Sequence, residues 1–361
     1  MPSQRRTRGL LLGLGALSAL VLTGEVWLPW LLRDPQPGTD RSGSMTEKPS
    51  LDQLPALPWR ADAVRRFRFP DQRYRAAYHR PDWQVLGASE FSQDTLPTVF
   101  GFLKHRMLHF TFDDGPSLDS TARILDALSE YNLRATFFVV GRHLFGPDAK
   151  AHRDLLKRMD RDGHTVAVHS YSHRDLRALS DQQIHRELYR TETMMNATLG
   201  YRPGLFRPPY GGRSQRTRTL LRTRGYTEIL WNIAPEEYGA RTPWEILSNF
   251  HAAVNDQEGH AYGPGGIVLL HDNRAETADA VPLIMEELRR RNCALLGQSG
   301  EELWDVVGDL SYYLFYPDGF PEALVARRQA QAREAALSYC NEYRPEQRTI
   351  QAEKRLEPRA G

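Results

Sequence analysis

Leu108-His109-Phe110-Thr111-Phe112-Asp113-Asp114-Gly115-Pro116-Ser117 decides the reading of this chain. An apolar run of β-forming residues stops at two adjacent carboxylates, and Gly-Pro follows at once. The segment therefore reads as a buried strand running into a tight turn. Two neighbouring Asp side chains repel each other unless a cation sits beside them. Side chains alternate faces along a strand, but an abrupt turn lets both carboxylates serve one site, one on a metal and one as a base. A plain Asp-Asp-Gly surface turn is the alternative, and this stretch alone does not separate the two.

Working outward, strand-like and helix-like segments alternate from Leu108 onward. The strand candidates are Leu108–Phe112, Ala135–Val140, His164–Val168, Leu205–Arg207, Thr227–Ile233, Gly266–Leu270 and Cys293–Leu296. Helical periodicity fills Ser120–Tyr131, His152–Asp162, Asp181–Leu199, Ser214–Arg224, Thr242–Asp256 and Asp279–Arg291. Ser120 and Asp181 stand at N-cap positions, Gly163 and Gly225 at helix ends. Such alternation implies an α/β fold on a parallel sheet, either a barrel or a doubly wound sheet. In both, sites lie at the C-terminal ends of strands. Asp113/Asp114, His169/His173, Arg207–Tyr210, the Trp231–Tyr238 turn and His271/Asp272 all fall there.

His169-Ser170-Tyr171-Ser172-His173 places two imidazoles four residues apart directly after a strand, which favours a loop site over a helix face. With Asp114 they make an Asp-His-His set. Three ligands with a fourth position open to water is the pattern of a catalytic zinc-type site.

Phe112-Asp113-Asp114-Gly115-Pro116, His169–His173, Arg207-Pro208-Pro209-Tyr210-Gly211 and Leu269-Leu270-His271-Asp272 occur in that order. They resemble the motifs of the polysaccharide deacetylase family, carbohydrate esterase family four, whose domain is also called the nodulation-protein homology domain. The likeness runs roughly from Leu108 to Leu296, and four short motifs in order are far more specific than any one alone. It implies a distorted (β/α) barrel of about seven parallel strands. It also implies a divalent metal, Zn²⁺ first, on Asp114, His169 and His173. Asp113 would be the general base, held by Arg207. The Tyr210 N–H would stabilise the oxyanion, and His271, paired with a carboxylate at Glu237, would act as general acid toward the departing amine. Leu269 would line the acetyl-methyl pocket, and Pro209, Tyr210, Trp231 and Tyr238 would contact the sugar.

One motif departs from the family, which usually has Asp where Asn232, Ala234 and Glu237 stand and Trp where Tyr238 stands. Glu237 keeps the charge on a longer arm and Tyr238 keeps a ring for stacking, whereas Asn232 and Ala234 lose charge. The implied activity is removal of N-acetyl groups from an N-acetylhexosamine polysaccharide (peptidoglycan, chitin-like or exopolysaccharide) at the cell envelope, with release of acetate. A polysaccharide-binding protein that had lost catalysis would lack a ligand or base, and Asp113, Asp114, His169, His173 and His271 are all present. Hydrolysis of an O-acetyl ester or a non-sugar amide is the other alternative, since a fold does not dictate its substrate.

The 361 residues carry a formal net charge of +2, too balanced for a nucleic-acid partner. Arg5, Arg6 and Arg8 precede the apolar Gly9–Thr23, the layout of an export signal. No small-x-small cleavage site follows, and apolar character resumes over Val26–Leu32. A cleaved signal peptide and an uncleaved membrane anchor both fit residues 1–33. The arginines stay cytoplasmic in either case and the rest is exported, to a periplasmic or extracellular face. Residues 34–58 read as a linker, 59–104 as an irregular cap, 105–310 as the barrel and 311–361 as a C-terminal extension with a helix over Pro321–Tyr343 and a tail. Ser299–Gly308 reads as a short capping helix. Cys293 reads as a small buried hydrophobe, with a Cys293–Cys340 bridge left open.

Overall fold

The computed structural model describes Leu96, residues 98–308, Leu310, Tyr313 and residues 320–342. The signal or anchor segment, the linker, most of the expected cap and the tail lie outside the described residues. The strands are β1 (Thr98–Val99), β2 (Met107–Asp113), β3 (Thr136–Val139), β4 (Thr165–Val168), β5 (Leu205–Phe206), β6 (Thr227–Ile229), β7 (Gly266–His271) and β8 (Asp305–Val306). The helices are α1 (Ser120–Glu130), α2 (Ala149–Arg161), α3 (Asp181–Leu199), α4 (Gln215–Thr223), α5 (Pro243–Glu258), α6 (Ala275–Leu296) and α7 (Glu322–Glu342). None of the described helices is long and apolar enough to cross a membrane.

Every strand pairing is parallel. The order is β1-β6-β5-β4-β3-β2-β7, with β8 alongside the start of β2. The chain just past β6 returns to β7 through a parallel bridge between Ile233 and Val268, which closes the sheet into an irregular barrel. Asn232 stitches this seam: its Oδ1 accepts the Ile267 N–H at 2.9 Å and its Nδ2 donates to Gly265 O at 3.1 Å. Gly266 makes the room, since a Cβ there would stand 2.1 Å from the Asn232 amide oxygen.

The period of two sorts the strands into an outer and an inner face. Leu108, Phe110, Phe112, Phe137, Val139, Val168 and Leu270 belong to the outer cluster, with helix residues such as Ile124, Leu188 and Ile284. Met107, Phe138, Ala167, Leu205, Ile229 and Ile267 share a second cluster with Leu310 and with Tyr313, Phe320 and Val325 of the C-terminal extension. The Tyr313 hydroxyl donates to Gly266 O at 3.0 Å, at the start of β7. The extension therefore plugs the barrel at the N-terminal ends of its strands. Above the plug, the inward file of β2 turns polar: His109, Thr111 and Asp113, all buried.

Three expectations are corrected. Cys293–Leu296 is the last turn of α6 and not a strand. A short apolar run does not tell strand from buried helix, and no breaker intervenes before Gly297. Ser299–Gly308 is not a helix: after a turn at Ser299 and Gly300 it contains β8, because its backbone finds distant partners in place of helical ones. Trp304 N–H donates to Asn292 Oδ1, Leu303 N–H to Gln329 Oε1, and Asp305 N–H to Arg106 O. Cys293 is no free buried thiol: it is bonded to Cys340 and ties α7 to α6. Caps shift by one residue as well. Ser180, not Asp181, caps α3 in a reciprocal pairing with Gln183, and Ser120 lies inside the first turn of α1.

Candidate active site

Asp113 is the last inward residue of β2, and it is 2% exposed. Its Oδ1 accepts from Arg207 Nη1 at 2.7 Å. Arg207, fully buried just past β5, spends its other donors on Thr111 Oγ1, Ile229 O and Leu230 O. Its guanidinium also lies 4.0 Å over the Phe138 ring, with the Trp231 ring at 5.3 Å. With all three of its nitrogens engaged, Arg207 holds Asp113 in a single orientation. Asp114 breaks the strand with φ +77°. That is how the turn relaxes face alternation and brings two consecutive carboxylates to one place. Gly115 has to be glycine here, since a Cβ would stand 2.0 Å from the Asp272 carboxylate.

β4 delivers His169, whose Nδ1 lies 2.7 Å from Arg207 O. A carbonyl only accepts, so Nδ1 carries the proton and the Nε2 lone pair is free. That Nε2 stands 3.6 Å from both Asp113 Oδ2 and Asp114 Oδ1, and His173 Nε2 stands 3.1 Å from Asp114 Oδ1. The loop between the imidazoles is clamped by Glu187 of α3. Its carboxylate accepts from Tyr171 N at 3.0 Å, Ser172 N at 2.7 Å and Ser172 Oγ at 2.7 Å. Ser170 and His173 are held at φ +64° and +59°. One ligand atom from each of Asp114, His169 and His173 lies within 4.8 Å of the others. Asp114 Oδ1 is buried yet has no hydrogen-bond partner. An unsatisfied buried carboxylate oxygen facing two imidazole nitrogens is costly by itself and is suited to a cation. Burial pushes the Asp114 carboxyl up, but His169, His173 and the Tyr238 hydroxyl bring it below its ordinary value. Burial, helped by His169, pushes His173 down and favours the neutral ring that a ligand needs.

On the other flank, His271 ends β7 with Nδ1 2.6 Å from Glu237 Oε1. Burial alone would lower its pKa, but the Glu237 hydrogen bond and the charges of Asp113, Glu237 and Asp114 raise it above the ordinary value. Tyr238, next in the same short 3-10 turn, sets its ring 4.4 Å from His271 and donates its hydroxyl to Asp114 Oδ2 at 2.7 Å. Tyr210 lies at φ +59° with its ring edge-on to His173 at 4.7 Å. Its turn is closed by the amides of Gly211 and Gly212 and does not use that of Tyr210. Leu269 is buried on the inward face two residues below His271, opposite Thr111. Pro209 is buried, and Trp231 lies beneath Gly211, where a Cβ would meet its ring at 3.1 Å. The structure thus joins Asp113, Asp114, His169, His173, Arg207, Glu237, Tyr238 and His271 in one contact chain.

Three supporting residues have no role assigned from the sequence. Asn273 Nδ2 donates to Asp114 Oδ2 at 3.3 Å. Buried Asp272, whose carboxyl is pushed up to about 7 by burial, accepts from Thr121 Oγ1 at 2.6 Å and anchors the start of α1 under the Asp-Gly-Pro turn. Glu187 acts on a loop fifteen residues away. The first two at least follow a strand-end His directly, whereas Glu187 carries no local signal.

Residues 102–229 match the family model described as polysaccharide deacetylase. A chitooligosaccharide deacetylase of Rhizobium leguminosarum bv. trifolii is 34% identical over 168 residues, 46% of this chain and 72% of that protein. The chain belongs to the polysaccharide deacetylase family. The peptidoglycan-N-acetylmuramic acid deacetylase PdaC of Bacillus subtilis is 33% identical over 183 residues, 51% of this chain and 36% of that protein. A solved structure, the chitin deacetylase from the fungal pathogen Colletotrichum lindemuthianum, is similar at TM-score 0.49 and 26% identity, covering 55% of this chain and 87% of that one. Against several relatives, this polysaccharide deacetylase homologue spans only 36% to 66% of their length. The family model ends at residue 229, short of Glu237, Tyr238 and His271. Their place beside the Asp-His-His set rests on the geometry.

Proposed function

We propose that this polysaccharide deacetylase homologue is a metal-dependent hydrolase that removes N-acetyl groups from an N-acetylhexosamine polysaccharide at the cell envelope, releasing acetate and leaving a free amine. The observation that carries the reading is the orphaned Asp114 Oδ1 between His169 and His173, with Asp113–Arg207 on one flank and His271–Glu237 on the other. Asp114, His169 and His173 would hold a divalent cation, Zn²⁺ by their one-carboxylate, two-imidazole donor set. Such a cation, when bound, supplies Lewis acidity and makes a water more acidic.

The chain's own groups move the protons. Arg207 occupies Asp113 Oδ1, so Oδ2, on the His169 side, is the oxygen that takes a proton from the attacking water. The Tyr210 amide serves the developing oxyanion. His271, with Nδ1–H held by Glu237, hands a proton from Nε2 to the departing nitrogen. Leu269 borders the space for the acetyl methyl. The names of the relatives, which act on chitooligosaccharide and peptidoglycan, support the polymer class. The Cys293–Cys340 disulfide and the basic-then-apolar N-terminus support an exported location.

The test is acetate release by the purified protein from chitooligosaccharide, peptidoglycan and acetylated xylan, with metal content measured alongside. His169→Ala or His173→Ala should abolish both bound metal and turnover, because two remaining ligands seldom hold a catalytic ion. Full activity in metal-stripped protein, unaltered by added Zn²⁺, rules the reading out. Activity on xylan alone makes the protein an esterase.

A further inference from the structure

Asp114 sits on irregular backbone, at φ +77°, where no strand neighbour dictates how its carboxylate turns. A free carboxylate there has two equivalent oxygens and can ligate through either one or both. The structure makes them inequivalent. Oδ2 accepts the Tyr238 hydroxyl at 2.7 Å and the Asn273 amide at 3.3 Å. Oδ1 accepts nothing, lies buried, and stands 3.1 Å from His173 Nε2 and 3.6 Å from His169 Nε2. The two donors also lie 3.4 Å from each other, so they converge on one oxygen as a unit.

We infer that Tyr238 and Asn273 are a positioning pair that reserves Asp114 Oδ2 and leaves Oδ1 alone for the cation, enforcing single-oxygen ligation. The inference rests on the metal-site reading proposed above and concerns residues on which that reading does not depend. Tyr238 is itself held in place: its ring packs against His271 at 4.4 Å, and the Arg274 guanidinium lies 5.4 Å from its centroid. A phenol O–H is a hydrogen-bond donor, as the 2.7 Å contact to Asp114 Oδ2 requires. A substitution that at first sight only trades one sugar-stacking ring for another thus acquires a separate role.

The experiment uses the full chain and two readouts other than turnover. Zn²⁺ affinity is measured by competition with a chromophoric chelator, and the visible spectrum of the Co²⁺-substituted protein reports coordination number. Tyr238→Phe keeps the ring and removes only the hydroxyl. Expected is a Zn²⁺ affinity lower by about 10–100-fold, the usual cost of losing a partner of a metal ligand. The Co²⁺ band should weaken as Asp114 gains freedom to ligate through both oxygens. Asn273→Ala should do the same to a smaller degree, and the double variant should lose less than the product of the two singles, since both act on one oxygen. A melting curve for each variant guards against misfolding. Unchanged affinity and spectrum in Tyr238→Phe, with any defect confined to KM for the polymer, would reduce Tyr238 to a stacking surface and overturn the inference. Failure of the unsubstituted protein to bind Zn²⁺ or Co²⁺ at all would sink the metal reading itself and this inference with it.

Discussion

Asp113 and Asp114 differ by one position in the chain and entirely in environment. Asp113 is locked to a buried arginine, whereas Asp114 faces two imidazoles with one oxygen unused. Asp113→Asn should therefore leave metal content unchanged while lowering kcat by about 10²–10⁴-fold, the usual worth of a general base. The amide still accepts from Arg207 but takes no proton from water. Loss of metal in that variant would exchange the roles of the two residues. On the acid side of the proposed reaction, His271 would give up its proton only as imidazolium, so the rate should fall as pH rises through its pKa. Glu237 is among the groups that hold that pKa up. Glu237→Gln removes the negative neighbour, and the alkaline limb of the pH–rate profile should move to lower pH for an amide substrate. An activated aryl ester, whose leaving group departs without a proton, should not show the effect. A limb that stays put on the amide would unlink Glu237 from the acid. The residues legible in the sequence are those that close a short motif at a strand end: Asp113, Asp114, His169, His173 and His271. Glu187 and Asn273 were not, because what defines them is a contact that only the folded chain makes.

Among the elements, the seam beside Asn232 shows why a change of motif need not be a change of chemistry. Its side-chain amide matches one backbone donor and one backbone acceptor of the neighbouring segment. Aspartate, the residue the family favours here, keeps the first bond, loses the second and sets a carboxylate oxygen against Gly265 O. Asn232→Asp should cost about 1–3 kcal/mol, the usual price of a mismatched part-buried polar pair, read from urea unfolding. No change would leave the seam to the Ile233–Val268 bridge alone. At the far end, α7 is held by the bond between Cys293 and Cys340, 47 residues apart, and by Arg328 paired with both oxygens of Asp305. On chain-entropy grounds a loop of that length is worth about 4 kcal/mol at most. Cys340→Ser should lower Tm visibly while acetate release at 25 °C persists, since neither cysteine contacts the site; lost activity in a folded variant would tie α7 to the reaction. The long elements were legible from period and punctuation. The strands β1 and β8 are not legible, because β1 lies in a stretch without clear periodicity and β8 in one that reads as a short helix, and the end of α6 is ambiguous because four apolar residues fit either period.

At the scale of the molecule, the strand–helix alternation was enough for a parallel α/β fold, and the inward polar file of β2 shows how that fold points at its own site. The choice of barrel over open sheet came from resemblance and is realised by a single bridge at the seam. The C-terminal extension was legible as a helix but not as a plug, because nothing local in Tyr313, Phe320 or Val325 says which apolar surface they cover. That plug has a consequence for traffic. Among the described residues the barrel is corked below, so under the proposed reaction the incoming polymer and the outgoing acetate would share the mouth above. Acetate should then inhibit competitively against polymer, and a noncompetitive pattern would mean a second way out. Acetate set free beneath a bound strand would wait behind the chain that delivered it. The pace on long polymers would then be set less by bond cleavage than by how readily the strand lifts from the mouth.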